Sequence, residues 1–217
     1  MCGITRLSRH KLCRALLSLV LSLPALGMSN AAFAAYDFTK LEAAIETLTP
    51  QSVRTWEQKA GTGDMFAQNL IGIAYKCGMG VVRDHALSTK WFRKAAEQGE
   101  ADAQFNLARL YGSEVNGVYR TGRAVPADDV EALKWYQRSA EQGHTQAQLK
   151  LGELYFAGAH GVPRNGVQAY KWIRLASTSG EPTAEKLLAS YAAQIKPEQI
   201  RDGETLAREW KNAQPER

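Results

Sequence analysis

Four histidines, three cysteines and five tryptophans are the side chains that could mark a chemical site in these 217 residues. The histidines, His10, His85, His144 and His160, stand far apart. His10 belongs to the N-terminal leader of residues 1–34, and the other three form no H-x-x-x-H pair and have no cysteine partner, so the spacing points away from a zinc site. Glu97 and Glu141 recur at one position of an internal repeat and read as solvated helix ends, not as an acid/base pair. No G-x-S-x-G elbow, P-loop or dinucleotide fingerprint is present. The tryptophans could stack on a carbohydrate, but they follow the repeat, which assigns them to a packed face. No catalytic residue, metal ligand or cofactor is therefore expected.

The elements that would position any site begin after the N-terminus. Arg6, Arg9, His10, Lys11 and Arg14 form a basic start. An apolar run follows over residues 15–26, and then Ala32-Phe33-Ala34. This order reads as a cleavable signal peptide over residues 1–34, and the run is too short for a mature membrane anchor. Cys2 and Cys13 precede the run, which argues against a lipoprotein. The expected product is periplasmic or secreted, with no stable membrane insertion after cleavage.

Removal of the leader changes the charge reading. It takes four of the 27 basic residues and none of the 22 acidic ones, leaving 23 against 22. The pI near 9.1 is thus largely a leader property, and no basic footprint for nucleic acid remains. Only Cys77 is left, so an intramolecular disulfide is impossible in the exported chain. Cys77 is expected as a small buried residue at a helix end.

Three segments then align. Gly63, Gly99 and Gly143 each open a unit, and Gly180 opens a partial one. Ala67-Gln68, Ala103-Gln104 and Ala147-Gln148 match. So do Gly72, Ala108 and Gly152, and Tyr75, Tyr111 and Tyr155. Asp84, Asp128 and Asn165 precede Trp91, Trp135 and Trp172 by a similar interval. Without eight extra residues between Tyr111 and Val125, where the insertion at residues 113–123 lies, and one extra residue in the third unit, a single period of 36 runs through all three.

Each unit reads as a helix pair. Apolar residues at i, i+3 and i+4 before each Tyr give helix A, and a small residue at the Gly72 position admits helix B closely. The Asp or Asn caps helix B, and the closing glycine takes a left-handed C′ conformation. Trp91 and Ala95 are placed on the inner face of the first helix B. Helices over residues 40–59 and 197–213 would cover the open ends of the stack. The expected organisation is N-terminal capping helices at 35–62, repeats at 63–98, 99–142 and 143–179, and a half repeat with a capping helix at 180–217.

The pattern A-Q-x-x-x-G-x-x-Y, then G-V-x-x-D, then A-x-K-W-[YF]-x-x-A-E-Q-G resembles the Sel-one-like repeat family, relatives of the tetratricopeptide repeats. The middle unit departs from it with Ala108, Ala124 and the insertion. The resemblance implies an all-α, right-handed solenoid of antiparallel helix pairs, with three full repeats and partial capping repeats. It further implies an adaptor or scaffold that binds a protein or peptide partner without catalysis. A rival reading is a cell-wall or β-lactam-like ligand-binding protein or hydrolase, known among members that staple each repeat with a cysteine pair. This chain lacks those pairs. A third is a regulatory subunit that inhibits a membrane sensor.

By analogy with tetratricopeptide grooves, helix A lines the partner site. The lining sets are Asn69, Phe105 and Leu149; Ile73, Arg109 and Glu153; and Lys76, Gly112 and Phe156. Within the insertion, Asn116-Gly117 signals a tight turn between apolar flanks, and Tyr119 and Arg120 are the side chains it would offer a partner.

Overall fold

The computed structural model describes residues 38–112, 114–115, 118–119, 128–158 and 161–214. The leader assigned to residues 1–34, together with Arg120 and His160, lies outside them.

The described residues form ten helices and one hairpin. The helices are α1 (Phe38–Glu46), α2 (Pro50–Gly61), α3 (Met65–Cys77), α4 (His85–Glu97), α5 (Ala101–Tyr111), α6 (Asp129–Glu141), α7 (Thr145–Ala157), α8 (Gly166–Thr178), α9 (Pro182–Ala192) and α10 (Pro197–Ala213). Two short strands, β1 (Glu114–Val115) and β2 (Val118–Tyr119), pair antiparallel between α5 and α6. In that ladder Glu114 faces Tyr119 and Val115 faces Val118, while the turn expected at Asn116-Gly117 lies outside the described residues.

Helix starts follow from side chains that take up amides left over in the first turn. Asp84 accepts from the amides of Ala86 and Leu87, Asp128 from Glu131, and Asn165 from Gln168. Gly63, Gly99, Gly143 and Gly180 all have positive φ, between 81° and 101°, where a side chain would be strained.

The three A–B connections close in the same way whatever their length. The amide of Asp84 donates to the Tyr75 carbonyl (2.9 Å), that of Asp128 to Tyr111 (3.0 Å), and that of Asn165 to Tyr155 (2.8 Å).

The pairs α3/α4, α5/α6 and α7/α8 stack in order, each helix B against the next helix A. This is an α-solenoid. The small position works as expected. A Cβ on Gly72 would lie 2.6 Å from the Phe92 ring, and Ile173 crowds Gly152 in the same manner. Ala108 occupies that place in the middle pair and is fully buried.

One expectation is corrected here. Phe92, not Trp91, is the fully buried aromatic of the first helix B, while Trp91 is half-buried against the core. Phe92 faces the small position of its own helix A, and Trp91 lies one residue further round the helix. Trp135 and Trp172 are buried, whereas Trp56 and Trp210 are half-buried at the two ends. The C-terminal helix α10 returns across α8, where Glu204 pairs with Arg174 (3.2 Å) and Trp210 meets Trp172 edge-on.

Candidate protein-binding surface

The joints between helices use the residues that repeat. Gln68, Gln104 and Gln148 are buried, and the Nε2 of each donates to a carbonyl of the preceding helix: Ala60 (3.0 Å), Ala96 (3.1 Å) and Ala140 (3.2 Å). In the first two repeats a second glutamine, from the end of helix B, completes the rung. Gln98 donates to Gln68 Oε1 (2.7 Å) and Gln142 to Gln104 Oε1 (2.8 Å). In the third repeat that position is Ser179, too short to reach, and no donor meets Gln148 Oε1. The role of these glutamines was visible in the sequence only as recurrence.

The repeated tyrosines bridge to the previous helix B through side chains that vary. Tyr75 donates to Glu57 (2.6 Å), and Arg93 donates to Tyr111. The Glu57 hydrogen bond, helped by burial, pushes the Tyr75 hydroxyl up to about 12. Burial and Glu141 also raise Tyr155.

Among the described residues, no group of three His, Cys, Asp or Glu is placed to hold a metal ion. His144 caps α7 and is buried against Asp102. Glu97 and Glu141 are exposed at the ends of α4 and α6. Cys77 is half-buried at the end of α3, less enclosed than expected.

The helix A residues proposed to line a groove divide in two. Asn69, Ile73 and Leu149 are buried, with 0%, 6% and 5% exposure, so they are corrected from lining to packing. Asn69 is covered by α5, whose Asn106 donates to it (3.3 Å). Leu149 packs in a cluster with Ile173, Ala176 and Ala184. The tetratricopeptide analogy placed these positions outward, but the neighbouring helix A crosses over them.

Gly112 is buried as well, whereas Lys76, Phe105, Arg109, Glu153 and Phe156 reach the surface in part and form two patches. In the first, Lys76 meets Asn106 (3.5 Å), and Arg109 lies over the Phe105 ring at 5.7 Å. Phe105 is flanked by Tyr136 and His144, with centroids at 5.8 and 4.6 Å. In the second, Glu153 pairs with Lys150 (2.5 Å). Phe156 stacks on Tyr191 (3.7 Å, 3° between planes), and Arg164 lies 5.1 Å from the Phe156 ring. Burial, with Glu153 nearby, pushes the Tyr191 hydroxyl up to about 12. Gly112 ends α5, Tyr119 lies on β2, and Arg120 is outside the described residues. Sequence reasoning missed Asn106, Arg164 and Tyr191, because none occupies a position that the repeat alignment marks.

Comparison with known proteins places this architecture. The Sel1 repeat profile matches residues 66–100, 101–144 and 145–181, more than half of the chain. Two solved structures are similar throughout most of it. A Sel1 repeat protein from Oxalobacter formigenes is 31% identical with a TM-score of 0.62, covering 79% of this chain and 68% of that one. The c5321 protein, a protective antigen of uropathogenic Escherichia coli strains with the SLR fold, is 30% identical with a TM-score of 0.59. That match covers 76% of this chain but only 33% of c5321, so this chain spans a third of that protein's length. A search of curated proteins gives no match.

Proposed function

The chain belongs to the Sel1 repeat family, and from that premise we propose that it is an exported, non-catalytic adaptor holding a protein or peptide partner in the cell envelope. Sel1 repeats are protein-interaction scaffolds. The observation that carries the reading is a contrast along the helix A row. The buried joints Gln68, Gln104 and Gln148 are identical, while Lys76, Phe105, Arg109, Glu153 and Phe156 differ from repeat to repeat and reach the surface. A fixed frame presenting variable half-exposed side chains is what partner selection needs. The leader-like N-terminus supports export; among the described residues no helix is long and apolar enough to cross a membrane.

Two measurements test this. N-terminal sequencing of the full chain expressed in a bacterial host should find Ala35 first, and an intact Met1 would remove the export claim. Photo-cross-linkers at Arg109 and Phe156 should trap the same partner, while one at Lys134 on helix B should not. Equal labelling from all three positions would overturn the groove assignment.

A further inference from the structure

One buried pair joins two repeats without serving the joints described above. His144 precedes α7, and Asp102 lies in the first turn of α5. His144 Nε2 is 2.9 Å from Asp102 Oδ1, with side chains 7% and 8% exposed. His144 Nδ1 accepts the Ala147 amide at 3.1 Å and thereby caps α7. Because Nδ1 accepts, the ring proton is on Nε2 and points at the carboxylate. The ring is fully engaged only in its neutral form.

We infer that the His144–Asp102 pair is a proton-operated joint between the second and third repeats, in which a helix cap is exchanged for an ion pair. A second proton can enter only at Nδ1. There it faces the Ala147 N–H, donor against donor, and the cap is released. The same proton turns the Nε2 contact into an imidazolium–carboxylate pair in a site shielded from solvent, so the ring stays at Asp102. The first turn of α7 loosens while the junction remains held.

Charged groups flank the joint on each of its elements. At the start of α5 are Asp102 and Glu100. Glu100 is itself buried and caps α5 at the Ala103 amide. Arg109 lies over the Phe105 ring, on which His144 is stacked. From α6, the neutral Ser139 carbonyl receives the His144 amide, and Glu141 lies at the exposed helix end. On the α7 side, Gln146 holds Glu181, the residue that caps α9 (2.6 Å). Phe105 and Arg109 belong to the proposed partner surface, so the joint lies directly beneath it. The inference itself does not depend on that surface binding anything.

The ordinary titration of histidine lies within the range from pH 8 to pH 5. Nitrogen NMR of the wild-type imidazole should show the Nε2–H tautomer at pH 8 and two protonated nitrogens at pH 5. Over the same interval, Ala147 amide exchange, corrected for its intrinsic pH dependence, should quicken about fivefold, the effect of losing a typical cap. His144→Asn keeps an oxygen that can cap and removes the titration, so its Ala147 exchange should not respond to pH. An Nδ1–H tautomer at pH 8, an imidazole unchanged across the range, or the same pH response in H144N would overturn the inference.

Discussion

The first two repeats and the third close the same rung with different chemistry. In the former, two glutamines and a carbonyl form a continuous chain, Gln98 to Gln68 to Ala60 and Gln142 to Gln104 to Ala96. In the latter, Gln148 keeps its bond to Ala140, but Ser179 leaves the other amide atom without a donor. A buried polar atom without a partner forfeits the solvation it had in the unfolded chain. The third repeat is therefore the weaker link, and it is also the repeat in which Ile173 replaces an aromatic residue against the small position of helix A.

The largest effect should come from attacking that small position. Gly152→Leu drives a side chain into Ile173 and the Ala169 carbonyl, and should cost about 3 kcal/mol in urea unfolding, as overpacking does. Gln104→Leu breaks a complete rung, leaving the Ala96 carbonyl and the Gln142 amide without their partner, and should cost about 2 kcal/mol. Gln148→Leu removes one bond together with an oxygen that had no donor, so its cost should be smaller. Equal losses for the two variants would show that the rung is no stronger where it is complete.

Ser179→Gln sharpens the comparison from the other side. It supplies the missing donor and should raise stability by about 1 kcal/mol. The gain should vanish when Gln148 is replaced by Leu, as a double-mutant cycle would report.

The smallest effect is confined to alkaline pH. Tyr75 has its folded-state value raised from 10.0 to about 12, first by its hydrogen bond to Glu57 and then by burial. The neutral hydroxyl is the form that folding favours. Its contribution is fully present below pH 10 and is lost as pH rises through about 12. Tyr75→Phe should flatten that part of the stability profile, and an unchanged slope would remove Tyr75 as its source.

Much of the frame was legible from single residues because local backbone chemistry decides it. Asp84, Asp128 and Asn165 cap where a short acceptor must, and the closing glycines take positive φ. The small position was legible because its residues recur. Facing was harder to read. Trp91 and Phe92 are adjacent apolar residues, and a rotation of one position about the helix axis decides which of them reaches Gly72. The surface was harder still. Asn69 and Leu149 occupy groove positions by register, yet they are covered by the helix A of the following repeat, and that coverage depends on the curvature of the whole stack. Arg164 and Tyr191 come together only because α8 and α9 bring distant segments to the end of α7.

The hydrogen bond that closes each A–B connection has a consequence for how such chains change. Tyr75 and Asp84 are nine residues apart, Tyr155 and Asn165 ten, and Tyr111 and Asp128 seventeen, yet the same amide-to-carbonyl contact ends each excursion. The solenoid registers the two anchor points and is indifferent to what lies between them. The middle connection is thus a socket in an otherwise standardised part. A lineage, or an engineer, can exchange the hairpin for another sequence with matching ends and leave the bearing surfaces on either side untouched.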